Sequence, residues 1–318
     1  MQSLIRPMLI TGDAAVPLVT VIMATYNRSN VLSFSIRSVL AQTYQDWELW
    51  VIGDCCTDDT AAVVASFQDP RIRFLNLPKN YGNQYGPNNE GMELAKSQYL
   101  AILNHDDLWL PDHLAKAVSE IERTGADLVF TIGEIVSEGG PKRLSHAAPK
   151  IRYEPYLFVP ASLWLFKREL YQEIGGWKDF RKIYNVPSQD WLHRAWKAKK
   201  YLHAIPHLTA VLLQSGTRSE VYARREFREN ETYFNRILQE PDFREKELTE
   251  IASNLYVNLG YSLKWTLIQI AKRILFLVGF EPISFYNFFL YPSRGGFVKR
   301  LKKNRGLQDH ENPRVDPA

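Results

Sequence analysis

Residues 99–111 read YLAILNHDDLWLP. An apolar run, Leu100-Ala101-Ile102-Leu103, stops at a polar tetrad, Asn104-His105-Asp106-Asp107, and apolar residues resume at once. A run this short and this apolar reads as a strand buried on both faces. Adjacent carboxylates at its tip repel one another and lose hydration, so a positive charge should meet them. That charge belongs either to a protein side chain or to a metal ion carrying a ligand; a third reading has the pair capping the next helix. Asp112 is better placed for the cap, and the tetrad has no basic residue close by. A hard divalent cation accepts one or two carboxylates together with ligand phosphates. His105 is a softer donor and is expected to point elsewhere.

Working outward, LVTVIM at 18–23 is a β-branched, apolar strand followed by the turn Ala24-Thr25-Tyr26-Asn27. A helix is expected over 29–41, with Val31, Leu32, Ile36, Val39 and Leu40 on one face. WELWVI at 47–52 is a second strand ending in Gly53-Asp54-Cys55-Cys56-Thr57. Thr57 or Asp58 would cap a helix over 61–67, and 72–75 is a third strand. A Gly, Asn and Pro-rich loop at 80–89 precedes a helix at 90–96. Strand and helix thus alternate four times over short loops, which predicts an α/β fold with a parallel sheet and crossover helices. Ligands of such sheets gather at the carboxyl ends of the strands. Segments 24–27, 53–55 and 104–107 all fall there, so one crevice should collect them.

Further on, the pattern predicts a helix over 110–124, strands at 127–132, 135–137 and 162–166, and a helix at 168–174. Another helix is expected at 188–199, with strands at 201–206 and 208–213. After Arg218 the character changes to charged helices and then to an aromatic, basic tail, so the chain divides into 1–218 and a helical extension, 219–318.

The 318 residues include 45% hydrophobic and 23% charged residues, an ordinary globular balance. The net charge of +4 is unevenly spread: from Ser262 onward ten Lys and Arg face four Asp and Glu, leaving the rest slightly acidic. Any anionic partner is therefore sought at the tail. Nucleic acid is not among the expected partners. Cys55 and Cys56 are adjacent, suit neither a disulfide nor a zinc site, and fit a reducing compartment. The first sixteen residues lack a signal peptide's apolar core, which predicts a cytoplasmic protein.

TVIMATYNRSNVLSFSIRSVLAQTYQDWELWVIGDCCTDDTAAVV and NEGMELAKSQYLAILNHDDLWLPDHL together resemble the nucleotide-diphospho-sugar half of the family 2 glycosyltransferases. The resemblance is close over 16–118 and looser to about Arg218; the TYNR turn, SVLAQTY, the TDDT acidic strand end and the paired aspartates before LWLP occur in order. It implies a GT-A catalytic domain spanning 1–218 that takes a nucleotide-diphospho-sugar donor. By this resemblance Ala24, Thr25, Tyr26 and Asn27 form the donor turn, with the Tyr26 ring against the nucleobase. Asp54 accepts a hydrogen bond from a base N–H such as that of uracil. Asn89, Asn104, Asp106 and Arg218 complete the donor set, Arg218 reaching the diphosphate. Asp106 and Asp107 correspond to metal- and ribose-binding aspartates, Asp107 being favoured as ligand of Mg²⁺ or Mn²⁺. Asp190, in PSQDWLHRAW, corresponds to the acceptor-side base of an inverting transfer; it also suits an N-cap. The sequence departs from the pattern at Gly53 and Asn104, where relatives carry acids, and the loop before Asn89 has no basic residue after Lys79.

Trp177 and Trp191 suit either sugar stacking or packing, and Arg224, Arg225 and Arg228 suit a solvated helix face. In the tail, Leu263, Leu267, Ile270, Ile274 and Leu275 share a helical face, and no charge-free run is long enough to span a bilayer. Aromatic residues flanked by Lys and Arg suit peripheral contact with an anionic membrane; packing on the domain or across a homodimer is the alternative. The expected function is an inverting, metal-dependent glycosyltransferase acting on a saccharide or lipid-linked acceptor in cell-surface polysaccharide or glycolipid synthesis. The altered tetrad keeps open an inactive GT-A domain that binds nucleotide-sugar or scaffolds an assembly. A nucleotidyltransferase would carry a Gly-rich, basic phosphate loop after the first strand, which 24–27 is not.

Overall fold

The computed structural model describes residues 16–137, 140–146, 151–213, 221–226, 228–257, 262–291 and 293–307. Arg218 and the first fifteen residues lie outside them. In chain order the elements are β1 (Val19–Thr25), α1 (Ser29–Leu40), β2 (Trp47–Gly53), α2 (Thr60–Ala65), β3 (Ile72–Asn76), α3 (Tyr85–Leu94), β4 (Tyr99–Ile102), β5 (Leu108–Trp109), α4 (His113–Thr124), β6 (Leu128–Val136), β7 (Arg143–Leu144), β8 (Trp164–Lys167), α5 (Arg168–Ile174), α6 (Pro187–Lys197), β9 (Leu202–Leu213) and α7 (Val221–Arg224). The extension adds α8 (Arg228–Gln239), α9 (Phe243–Val257), α10 (Ser262–Leu277), α11 (Pro282–Leu290) and α12 (Gly296–Asn304).

The strands form one sheet in the order β3-β2-β1-β4-β8-β6-β9-β5, with β7 beside β6. The first four are parallel, as the alternating pattern predicts. Chain order reverses between β1 and β4, the switch point where an α/β sheet opens a crevice. Val31, Leu32, Ile36 and Val39 of α1 are fully buried against this half, as their spacing requires.

The second half departs from an all-parallel sheet. β8 runs antiparallel to both β4 and β6, because a 3-10 turn at Ala161–Leu163, not a crossover helix, leads into it. The two strands expected at 201–213 are one, β9, and it absorbs Pro206 in a bulge: Phe130 pairs with Ala204 and Ile132 with Leu208, leaving three residues opposite one. The two strands expected at 127–137 are likewise one, β6. Helix α3 starts five residues before the expected position, at Tyr85, with Pro87 in its opening turn. Gly91 on α3 lets the helix lie against β1; a Cβ there would stand 2.5 Å from Ile22 Cγ2.

The extension is built onto the same body. Tyr233, Phe234 and Ile237 of α8 and Phe243 of α9 share a second core with Phe34, Leu108, Val136 and Val211. Glu247 of α9 is fully buried between Lys142 Nζ and Arg236, at 2.6 and 2.7 Å. Asp112 precedes α4 as expected but does not cap it through its side chain; its carboxylate takes Arg244 of α9 at 2.6 and 2.8 Å.

Candidate active site

β1, β2 and β4 end side by side, and backbone bonds carry their loops together. Asp54 N–H donates to the Thr25 carbonyl (2.8 Å), and Leu103 N–H to the Ile22 carbonyl (3.0 Å). Asn27 adopts φ +47°, and its side chain joins the turn to the next loop: Oδ1 accepts from Thr57 N–H (2.8 Å) while Nδ2 donates to Thr57 Oγ1 (3.1 Å). His105 Nδ1 lies 3.2 Å from the Ala24 carbonyl, tying the tetrad to the same turn. Burial holds this imidazole below its ordinary range. His105 therefore braces the turn after β1.

Asp54 is almost fully buried, and its two carboxylate oxygens accept from Tyr81 N–H (2.7 Å) and Gly82 N–H (3.0 Å). Burial pushes its carboxyl up to about 6, against the pull of those amides and of the Lys302 charge. The half-buried Tyr26 stands close enough to feel the Asp54 charge, and its ring lies 6.2 Å from that of Tyr222 on α7. Arg28, buried beneath, has its guanidinium 5.3 Å from the Tyr222 ring.

The paired aspartates separate into two environments. Asp107 is 5% exposed and is held by Ser162 Oγ (2.5 Å), Asn104 Nδ2 (2.9 Å) and Leu213 N–H (3.2 Å). Burial, then the Asp106 charge, pushes its carboxyl up to about 8 despite those donors. Asp106 is half-buried, and its backbone carbonyl is fixed by Asn230 Nδ2 of α8 at 2.9 Å. Among the described residues no three His, Cys, Asp or Glu converge as a protein cage for a metal. The donor set present, one accessible carboxylate backed by a buried one that its neighbour's charge disfavours, fits a hard cation that takes its remaining ligands from phosphate and water.

Asp190 sits in the first turn of α6, yet the N-cap is Val186 and the Asp190 side chain caps nothing. Its carboxylate takes Arg194 Nε at 3.0 Å and faces Lys178 Nζ at 3.9 Å. Arg194 also donates to the carbonyls of Ile174 and Gly176, both at 2.6 Å. Asn89, expected in the donor set, spends both ends of its amide on the Trp177 backbone, at 2.7 and 2.9 Å, and so links α3 to the loop before α6. Trp177 and Trp191 pack in the core around Trp164 and have no face free for a sugar. Arg225 pairs with Asp58 and Asp59 at 3.5 and 3.4 Å, so it pins α7 to the second loop.

Sequence reasoning missed Ser162, Tyr222 and Asn230, which reach the site only through the fold. It also missed Asn88, which is 1% exposed with its amide unpartnered.

Asp54 after β2 and Asp106 and Asp107 after β4 thus stand by the turn after β1 that carries Tyr26. Residues 20–175 match the sequence model of the family described as Glycosyl transferase family 2, and the chain carries a domain of that family. It is 33% identical over 146 residues to the succinoglycan biosynthesis protein ExoO of Rhizobium meliloti (strain 1021), covering 46% of this chain and 42% of ExoO. It is 33% identical over 140 residues to the UDP-Glc:alpha-D-GlcNAc-diphosphoundecaprenol beta-1,3-glucosyltransferase WfgD of Escherichia coli, covering 44% of this chain and 55% of WfgD. The chain thus spans about half the length of these relatives. In fold it is similar to S. aureus TarS 1-349, solved in complex with UDP-GlcNAc, with a TM-score of 0.53 and 15% identity over 75% of this chain and 72% of that one.

The two aspartates should respond differently to removal. Asp107→Ala strands three donors and should cost about 1–3 kcal/mol in urea unfolding. Asp106→Ala, at the less buried of the two positions, should cost less. With EDTA present, the raised Asp107 pKa makes wild-type stability fall as pH rises from 3.8 toward about 8, and Asp106→Ala should flatten that fall.

Proposed function

We propose that the chain is an inverting, metal-dependent glycosyltransferase that moves a sugar from a nucleotide-diphospho-sugar to an acceptor hydroxyl. The observation that carries this reading is the gathering of Tyr26, Asp54 and Asp106 at the ends of three adjacent strands within a family 2 domain. Tyr26 offers its ring to the base, Asp54 accepts from a base N–H, and Asn27 holds the turn that presents Tyr26. Asp106 is the residue best exposed to hold Mg²⁺ or Mn²⁺, with Asp107 behind it, a carboxyl that burial pushes up to about 8 and that a bound cation would draw toward its charged form. When bound, the cation supplies positive charge to the diphosphate oxygens of the donor.

Asp190 acts as the base. Arg194 fixes one oxygen of its carboxylate, and the other, which faces Lys178 Nζ at 3.9 Å, is the one that takes the acceptor proton. The hydroxyl oxygen bonds to the anomeric carbon as the bond to the phosphate oxygen opposite it breaks, which inverts that centre and releases nucleoside diphosphate. Residues 1–218 form the catalytic domain and 219–318 the extension. The names of the relatives favour cell-surface polysaccharide synthesis on a saccharide or lipid-linked acceptor.

A lipid-linked acceptor agrees with the tail. Ile274, Leu277, Val278, Phe280, Phe288 and Phe289 of α10, α11 and their connection are more than half exposed. Arg273, Arg294, Lys299 and Arg300 are exposed beside or beyond them. An open cavity of about 610 Å³ lined by Arg152, Lys197, Lys199 and Lys200 includes Trp196, whose ring meets Phe276 of α10. No single described helix is long and apolar enough to cross a membrane. Apolar surface with a basic margin suits the interface of an anionic bilayer, where the protein would sit peripherally in the cytoplasm.

Transfer or donor hydrolysis with Mn²⁺, measured across a panel of nucleotide-sugars, should fall at least about 100-fold in Asp190→Asn with donor affinity retained. Absence of turnover with every donor would favour the nucleotide-sugar-binding scaffold. In flotation, the protein should rise with vesicles containing phosphatidylglycerol, and Phe288→Ser with Phe289→Ser should keep it at the bottom. A concentration-dependent dimer without vesicle binding would assign the same face to self-association.

A further inference from the structure

The open cavity of about 610 Å³ at the end of α6 is not part of the crevice. Asp190 lies in the first turn of α6 and Lys197 closes its last, about 10 Å further along the axis. Leu202, also on the cavity wall, begins β9. That strand runs parallel to β6, and β6 runs in the direction of β4 because β8 is antiparallel to both. The cavity therefore sits at the amino ends of these strands, and the crevice at their carboxyl ends.

Its wall carries four cations and no acid. Lys200 is spent on Glu173, but Arg152, Lys197 and Lys199 have no carboxylate partner among the described residues. Lysines are ordinary at a helix C-terminus, where they meet the negative end of the dipole. Two features here go further. Arg152 converges from a different loop, its guanidinium 5.4 Å from the centre of the Tyr201 ring. That ring is held from behind, since Tyr201 Oη lies 2.9 Å from His203 Nδ1 and His203 Nε2 lies 3.0 Å from Glu120. The turn that ends α6 also puts an exposed lysine where glycine is the usual choice: Lys199 has φ +59°, and Lys200 N–H donates back to the Ala195 carbonyl at 3.2 Å.

The exposed apolar surface starts at the same rim. Trp196 of the cavity wall meets the Phe276 ring at 5.2 Å, and the Arg273 guanidinium lies 5.4 Å from the centre of the Tyr156 ring. Just past Phe276 the chain exposes Leu277, Val278 and Phe280, then bends by 103° into α11. We propose that the cavity takes the phosphate of one anionic phospholipid, whose acyl chains lie along the α10–α11 elbow. This rests on the membrane reading above and deepens it, by giving that surface a discrete head-group site. Charge and apolar surface in sequence match a phospholipid end to end, whereas a soluble phosphate has no use for the elbow. One helix then carries the lipid at one end and Asp190 at the other.

The test is flotation of the full chain with two kinds of phosphatidylcholine vesicle. One contains phosphatidylglycerol; the other contains cholesteryl hemisuccinate, a carboxylate lipid, at the same surface potential. A surface that answers only to potential cannot tell them apart, whereas a head-group cavity can. Wild type should bind the phosphatidylglycerol vesicles about fivefold or more tightly. Arg152→Gln combined with Lys197→Gln and Lys199→Gly should weaken that binding about tenfold or more and abolish the preference. Lys199→Gly alone gives the turn the residue it favours, so it should weaken binding without lowering the urea midpoint. Arg37→Gln with Lys96→Gln and Lys116→Gln removes equal charge from other exposed positions and should change binding less than about twofold. Equal binding of both vesicles by wild type, equal losses in the two triple variants, or undiminished binding in the cavity variant would overturn the proposal. Failure of wild type to float with either vesicle would instead sink the membrane reading on which it stands.

Discussion

The mutual repulsion of Asp106 and Asp107 at the tip of β4 is the constraint around which the domain is arranged. One carboxylate is sunk among Ser162, Asn104 and the Leu213 amide, and the other is left at the rim of the crevice. Three elements distant in sequence meet at the buried one: the end of β4, the 3-10 turn before β8, and the end of β9. The antiparallel insertion of β8 is what brings Ser162 to that place. The irregular half of the sheet thus serves the regular half, since it supplies the donors that keep Asp107 fixed while Asp106 remains accessible.

The rest of the site extends this arrangement sideways. Asn27 and His105 stitch the turns after β1, β2 and β4 into one rim, and Asn89 carries the connection to the loop before α6. The extension closes the rim from outside through Asn230, Tyr222 and α12. The helical extension therefore contributes side chains to the same crevice.

The parallel half of the fold was legible because each strand is apolar throughout and each helix has a regular apolar face. The three polar strand ends were legible for the same reason, since topology alone sends them to one crevice. What was hidden depended on partners far away. Asp112 has a capping position but meets Arg244, 132 residues on, so its local pattern misled. Strand direction for β8 follows from a connection that carries no periodic signal. Trp177 and Trp191 look alike in sequence whether they face a sugar or a core, and packing decided for the core. Lys302 was one basic residue among many in the tail; only its helical phase relative to Val298 distinguishes it, and that required the helix register.

The central claim is that the crevice takes a cation and a diphosphate together, each making the other's binding favourable. The direct measurement is the melting temperature with Mn²⁺ alone, with nucleoside diphosphate alone, and with both, at fixed concentrations. Linkage predicts a combined shift well above the sum of the separate ones. A combined shift equal to that sum, or no shift under any condition, would contradict the account.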